Sequence, residues 1–367
     1  MKYLTLSWVR FVVVGTALLA MSACGFRHRK YDNPITSATE QPDKILFDKA
    51  IKDLEKGRYE IARITLNTLI NTYDASEYLA KSKLAIADAW YREGGLRGYS
   101  QAEAEYKDFI LFYPTMEEAA ESQKKICDIH LKQMEKPDRD TSQAQRAEQE
   151  CKQVLIQFPN SKFIAEVTQT LRNIQEVLGE SEFRVGDFYR KRGANNAAAN
   201  RLGGVADQYP LYSRADEALW WEGQALERLG PRFRTQAGES YTRIARDYPL
   251  SKFVEDAKAR LKEMEMPVPD ADPAAVARMK FEIDNRVEPG LFHRTFGFMR
   301  RGPETWTAPK QGDPQMNPPA KNVPPLVPPP GATAGFQGDV TVAPVTNSSA
   351  LDQNPDARQP APAKPKP

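Results

Sequence analysis

Cysteine and histidine are scarce in this chain, which argues against most metal-centre and thiol chemistry. Its 367 residues include only three of each. His28, His130 and His293 lie far apart in sequence, and they form no spaced set of ligands with Cys127 or Cys151. We therefore expect no metal site.

The chain also lacks an excess of charge of either sign. It carries 51 Lys and Arg against 49 Asp and Glu, for a formal net charge of +2. Basic and acidic residues alternate along the predicted helices, as they do on solvated helix faces. Such a chain generates no field that would attract nucleic acid, so we expect no nucleic-acid partner.

Signatures of catalysis are missing as well. The sequence contains no G-x-S-x-G, H-E-x-x-H or phosphate-loop motif, and no G-x-G-x-x-G that follows a strand. The paired carboxylates Glu117 and Glu118 follow Pro114, where they favour the start of a helix through its dipole. We expect a protein that is not an enzyme and that needs no dissociable cofactor.

A long apolar run occurs at the amino terminus alone. Lys2 and Arg10 precede the apolar residues 11–21, and the small pair Ser22-Ala23 comes just before Cys24. A membrane-spanning helix needs about 20 apolar residues, so this shorter run is typical of a cleaved secretory signal. We assign residues 1–23 to a signal peptide.

The end of this segment, Met21-Ser22-Ala23-Cys24, resembles a bacterial lipobox, although Met21 replaces the usual Leu. In a lipobox the cysteine becomes the lipidated first residue, and each buried CH₂ of its acyl chains contributes about 0.8 kcal/mol to membrane binding. The alternative is an ordinary signal peptide beside an incidental Cys24. Gly25, rather than Asp, follows Cys24, which favours the periplasmic face of the outer membrane.

One internal pattern recurs five times and predicts the architecture. Each copy has a small Ala, a core residue four positions later and an aromatic eleven positions later, usually before Pro. The copies are Ala62, Leu66, Tyr73; Ala102, Tyr106, Tyr113; Ala147, Cys151, Phe158; Ala198, Leu202, Tyr209; and Ala237, Tyr241, Tyr248. Offsets of four and eleven lie on one helical stripe, so each copy marks a helix that ends near its aromatic.

These helices are predicted to form hairpins stacked into an all-α, tetratricopeptide-like solenoid over residues 43–265. Serines after the aromatics are predicted N-caps of the following helices, namely Ser76, Ser161, Ser213 and Ser251. Gly57 to Ala62 matches the G-x-Y-x-x-A junction of a tetratricopeptide repeat. The repeats are longer than the standard 34 residues, which requires longer or additional helices, above all between Ser161 and Arg192.

Three tryptophans admit two interpretations. Trp90, Trp220 and Trp221 could line a ligand site, but aromatics on the first helix of such hairpins more often fill the core between repeats. We expect the second.

Other segments complete the predicted organisation. Residues 24–42 form the lipidated tether, residues 266–302 hold a short helix over 273–287 and an aromatic strip over 291–301, and residues 303–367 form a disordered Pro-rich tail. More than half of the 28 prolines lie beyond Arg301. The strip either folds back on the last repeat or docks a partner or the membrane surface.

Cys127 and Cys151 are candidates for a disulfide. They lie on the helices predicted over 116–134 and 141–157, at equal distance from the turn between them, in a compartment that oxidises thiols. The alternative is a pair of buried, reduced thiols, because helix axes usually pack 8–10 Å apart.

A more specific resemblance emerges between residues 182 and 210. Phe188-Tyr189 is followed by Arg192-Gly193-Ala194, then by Ala197 and Asn200-Arg201, and finally by Tyr209-Pro210. Together with the lipobox and the five repeats, this order resembles the BamD-like tetratricopeptide lipoproteins of the β-barrel assembly machinery. The resemblance covers about residues 24–265.

The resemblance implies that the amino-terminal repeats engage unfolded outer-membrane β-barrel proteins. It further implies that the carboxy-terminal repeats bind the POTRA region of the central barrel subunit, with Asn200 and Arg201 at or near that surface. Arg201 could equally be a solvated residue or half of an ion pair within its repeat.

Two other functions remain open from sequence alone. A periplasmic repeat adaptor such as that of the Tol-Pal system usually has an amino-terminal coiled coil, and no sustained heptads precede Lys44. A lipoprotein enzyme with appended repeats would need a catalytic domain, which the Pro-rich tail cannot form.

Overall fold

Helices supply the regular secondary structure throughout the described part of the chain, which is residues 41–286, 303 and 311–317 of a computed structural model. Twelve α-helices occur there, with one short 3₁₀ turn at Pro231–Phe233. They are α1 Pro42–Glu55, α2 Tyr59–Thr72, α3 Leu79–Glu93, α4 Gly95–Phe112, α5 Glu117–Gln133, α6 Ser142–Gln157, α7 Ile164–Lys191, α8 Asn195–Gln208, α9 Ala215–Arg228, α10 Arg234–Asp247, α11 Val254–Glu263 and α12 Pro273–Asp284.

Consecutive helices pack against each other along the chain. The five hairpins are α1–α2, α3–α4, α5–α6, α7–α8 and α9–α10, and the second helix of each contacts the first helix of the next. Helix α11 follows on α10, and the first helices of neighbouring hairpins also meet, as α1 meets α3 and α7 meets α9. The predicted tetratricopeptide-like solenoid is confirmed, since each hairpin covers its neighbour.

The repeated residues have the positions that their spacing predicts. The five alanines and the five residues four positions later are fully buried. Each of the five aromatics is the C-terminal cap of its helix, where its backbone N–H still bonds the carbonyl four residues earlier. Small alanines thus allow close helix contact, and the residues one turn later fill the interior.

The prediction that serines cap the next helices is wrong. Helix α3 begins at Leu79 and helix α11 at Val254, in both cases three residues after the serine. Ser76 accepts a hydrogen bond from the Tyr78 amide and donates one of 2.7 Å to Asp43, in the first turn of α1. The serine therefore shapes a turn and connects it to the preceding hairpin.

Helix α7 is unusually long, at 28 residues, and accounts for the predicted extension between Ser161 and Arg192. Trp220 is buried, and Trp221 and Trp90 pack partly buried against core clusters. This confirms the prediction that the tryptophans fill the core.

The carboxy-terminal segments only partly follow the prediction. Helix α12 begins at Pro273 as expected, with Asp272 accepting the amide of Ala274, but it ends at Asp284. The aromatic strip 291–301 lies outside the described residues. The tail was expected to make no buried contacts, but its residues 311–317 lie against α7.

Candidate docking surface on the fourth hairpin

Helices α7 and α8 form the hairpin that carries Asn200 and Arg201. The turn between them uses Gly193 at φ +72°, a backbone conformation that favours glycine. Farther from the turn, Gly186 allows Leu202 to approach, since a Cβ at Gly186 would lie 2.6 Å from the Leu202 Cδ2. This contact sets how closely α8 lies against α7.

Asn200 and Arg201 are both exposed on α8. The Arg201 Nη1 lies 3.0 Å from the Glu182 Oε2 of α7, and the Arg201 side chain remains 49% exposed. The structure thus contains the ion pair within the repeat, yet a pair this exposed stabilises a fold by less than about 1 kcal/mol. The guanidinium therefore remains accessible to a partner.

Helix α7 also carries exposed apolar side chains. Val185 follows Glu182 by three residues, Phe188 follows by three more, and both are exposed. We call Glu182, Val185, Phe188, Asn200 and Arg201 the docking surface, because exposed apolar residues on the same hairpin as an exposed arginine are typical of protein interfaces. The sequence analysis missed Val185 and Phe188. The available signal was the pair Phe188-Tyr189, since adjacent aromatics cannot both face one side of a helix.

Charged contacts hold the carboxy-terminal end of α7 in place. Asp187 lies 2.6 Å from Arg190 and 2.7 Å from Lys191. Burial alone would raise the pKa of Asp187, but hydrogen bonds from Lys191 and Arg190 outweigh it and lower the pKa. The Arg190 guanidinium lies 4.1 Å above the Trp221 ring of α9, which links this helix to the next hairpin.

The amino-terminal hairpins present apolar side chains of their own. Ile61 and Ile64 are exposed on α2, and Leu111 and Phe112 are exposed at the end of α4. The ammonium group of Lys83 lies 4.3 Å from the centre of the Phe112 ring. These residues are candidates for contact with an apolar polypeptide.

The comparisons with known proteins bear on this geometry. The model of the YfiO family, described as an outer membrane lipoprotein, matches residues 39–235. That stretch is more than half of the chain and contains the whole docking surface.

The chain belongs to the YfiO family.

Three curated relatives carry the same name, outer membrane protein assembly factor BamD. The protein of Xylella fastidiosa strain 9a5c is 27% identical over 199 residues, which are 52% of this chain and 67% of the relative. That of Neisseria meningitidis strain Z2491 is 25% identical over 65% of this chain and 91% of its own length. That of Pasteurella multocida is 22% identical over 60% of this chain and 84% of its own length.

The cysteines of this YfiO-family chain fall into two groups. Cys127 and Cys151 are fully buried on α5 and α6, their Cα atoms are 5.1 Å apart, and the structure pairs their sulfur atoms. Cys24 lies outside the described residues. Within the described ranges, no helix combines the length and apolarity that crossing a membrane would need.

Next to the cysteine pair, Glu103, His130 and Glu150 bring their potential metal ligands within 4.8 Å of one another. The ammonium group of Lys107 already neutralises the two carboxylates, since its Nζ is 2.7 Å from Glu103 and 3.1 Å from Glu150. The buried His130 ring also bonds Gln143, at 2.9 Å. We interpret this cluster as an internal ion-pair network that ties α4 to α5 and α6.

Proposed function

We propose that this chain is a lipid-anchored, periplasmic scaffold of the machinery that assembles outer-membrane β-barrel proteins. The observation that carries the proposal is the family match over residues 39–235, which includes the exposed docking surface. The relatives named as outer membrane protein assembly factors support it. The scaffold acts by binding proteins and catalyses no reaction.

The docking surface is the proposed contact with the POTRA region of the central barrel subunit. Arg201 supplies a planar donor, and its ion-pair partner Glu182 is itself partly exposed and readily exchanged. Val185 and Phe188 supply exposed apolar area on the same hairpin. The exposed apolar residues of α2 and α4 are the proposed contacts for unfolded barrel proteins.

The proposed membrane attachment is a lipid on Cys24. Metabolic labelling with a fatty acid should modify the protein, and Cys24→Ser should abolish both the label and its presence in the outer-membrane fraction. A Cys24→Ser variant that is still labelled and still in that fraction would show the anchor to be elsewhere.

The test of the docking surface is Arg201→Glu in the full chain. A reversed charge there opposes the partner and leaves the solenoid core untouched, so co-purification of the central barrel subunit should fall at least tenfold. Arg260→Glu is the matched control, because Arg260 of α11 is similarly exposed, at 43%, and interacts with two glutamates, Glu263 of its own helix and Glu227 of α9.

Helical circular dichroism should be the same for both variants and the parent. Undiminished co-purification by Arg201→Glu would contradict the proposed surface. So would an equal loss from Arg260→Glu.

A further inference from the structure

Residues 311–317 lie on α7 through hydrogen bonds to their main chain. The Arg172 Nε donates to the Gly312 carbonyl at 2.6 Å. The Gln175 amide donates to the Gln315 carbonyl at 2.7 Å and accepts the Gln315 N–H at 3.2 Å. Because all three bonds reach backbone atoms, α7 recognises an extended chain much as a neighbouring strand does.

The side chain of Gln175, which makes two of these bonds, is buried and is also hydrogen-bonded to the neighbouring helix. Only 3% of it is exposed, and its Nε2 also donates to Glu148 of α6, at 2.9 Å. Glu148 is itself paired with Lys152, at 2.8 Å. Two helices thus fix the amide in the orientation that bonds both backbone groups of one residue, which lowers the entropy lost on binding.

Every second residue of the segment faces the protein. Gly312 has a φ of +107°, and a Cβ there would lie 3.2 Å from the Leu211 Cδ2, so both conformation and space favour glycine. Pro314 is buried, and Met316 packs against the main core cluster. An alternation of two is that of an extended chain, and it defines the pattern Gly-x-Pro-x-Met.

We propose that this face of α7, bordered by Leu211 and Arg278, is a peptide-binding groove whose occupant is the chain's own segment 311–317. The ligand class is an extended peptide of the pattern Gly-x-Pro-x-Met, recognised through its backbone by Arg172 and Gln175. Attachment to the same chain gives the segment an effective concentration on the order of millimolar, so even a modest intrinsic affinity keeps the groove filled. Hydrogen bonds and packing hold the segment in the groove, so another peptide of the same pattern can replace it.

Hydrogen exchange in the full chain tests the occupancy. The Gln315 amide, which donates to Gln175, should exchange at least tenfold more slowly in the parent than in Gly312→Val, which alters no helix, or in Gln175→Ala. Gln315→Ala keeps the backbone bonds and should retain protection. Gln153→Ala, an exposed glutamine on α6, is the matched control.

A fluorescent peptide of residues 309–319 tests the groove itself. It should bind full-length Gly312→Val, whose own segment no longer fits, and the affinity should fall at least fivefold when Gln175→Ala is added. A peptide with Gly312 replaced by Val should fail to bind.

Equal exchange in the parent and in Gly312→Val would overturn the occupancy. Peptide binding that Gln175→Ala leaves unchanged, or no binding at all, would overturn the groove. Protection that increases with protein concentration would assign the occupant to a second copy of the chain and contradict the proposal.

Discussion

At the scale of single residues, Glu222 of α9 stands out because burial disfavours its ionised form. Burial raises the pKa of this carboxyl to about 7, although Arg243 and a hydrogen bond with Ser240 act in the opposite direction. The unfolded chain would ionise it near its ordinary value of 4.5. Between these values the folded protein holds a proton that the unfolded chain has released.

The contribution of Glu222 to stability is therefore predicted to fall as the pH rises from about 4.5 to 7. Glu222→Gln removes the ionisation and should raise the free energy of unfolding relative to the parent. This increase should be larger at pH 8 than at pH 5, by at most about 3 kcal/mol. Thermal melts at both pH values measure this difference. Glu60→Gln, at an exposed position on α2 of the first hairpin, should show no such difference.

The cysteine pair gives a second prediction at this scale. A disulfide between Cys127 and Cys151 should block alkylation of both residues in unfolded, unreduced protein, and reduction should restore it. On the chain-entropy model the bond stabilises the hairpin by roughly 3 kcal/mol. Alkylation of both cysteines without reduction, read by mass, would instead identify two reduced thiols.

The repeat spacing identified the buried residues, but it gave no information about contacts between helices. Glu182 lies 19 positions before its partner Arg201, on the other helix of the hairpin. Whether two such residues meet depends on the rotation of both helices, which an apolar stripe specifies only coarsely. The exposure of Phe188 escaped prediction for the same reason.

At the scale of helices, the ends at the repeated aromatics were predictable, whereas the starts after the serines were not. A terminal aromatic followed by Pro stops a helix through local sterics, which the sequence contains. The starts depend on the preceding hairpin, as Ser251 shows by donating to Asp216 at 2.6 Å rather than capping α11. The hydroxyl is engaged by a residue 35 positions away, which local rules for capping do not consider.

The contact between α7 and α8 gives a prediction at this scale. Gly186→Ala gains about 1 kcal/mol of helix propensity, but its methyl group would overlap the buried Leu202, at a cost of about 1–3 kcal/mol. The melting temperature should fall by several degrees.

Gly238→Ala is the matched control, since its Cβ would meet the flexible end of Met266 instead. That variant should be neutral or stabilised. A Gly186→Ala protein as stable as the parent would show that the close approach is not tightly packed.

At the scale of the whole molecule, the recurrence of one buried stripe accounts for the solenoid. Each hairpin buries its apolar face only against its neighbours, so the repeat number and order follow from the sequence. Segment 311–317 could not be predicted in this way. Its composition resembles that of the Pro-rich tail around it. Its hydrogen bonds to α7 use backbone groups, which are common to nearly all residue types and therefore leave no signal in the sequence.

The central claim is that the docking surface binds the central barrel subunit, and site-specific photo-crosslinking in cells tests it most directly. A photoreactive amino acid in place of Arg201 should form an adduct with that subunit. The same amino acid in place of Gln153, which is exposed on α6, should not. Adducts of equal yield from both positions, or an adduct from position 153 alone, would contradict the account.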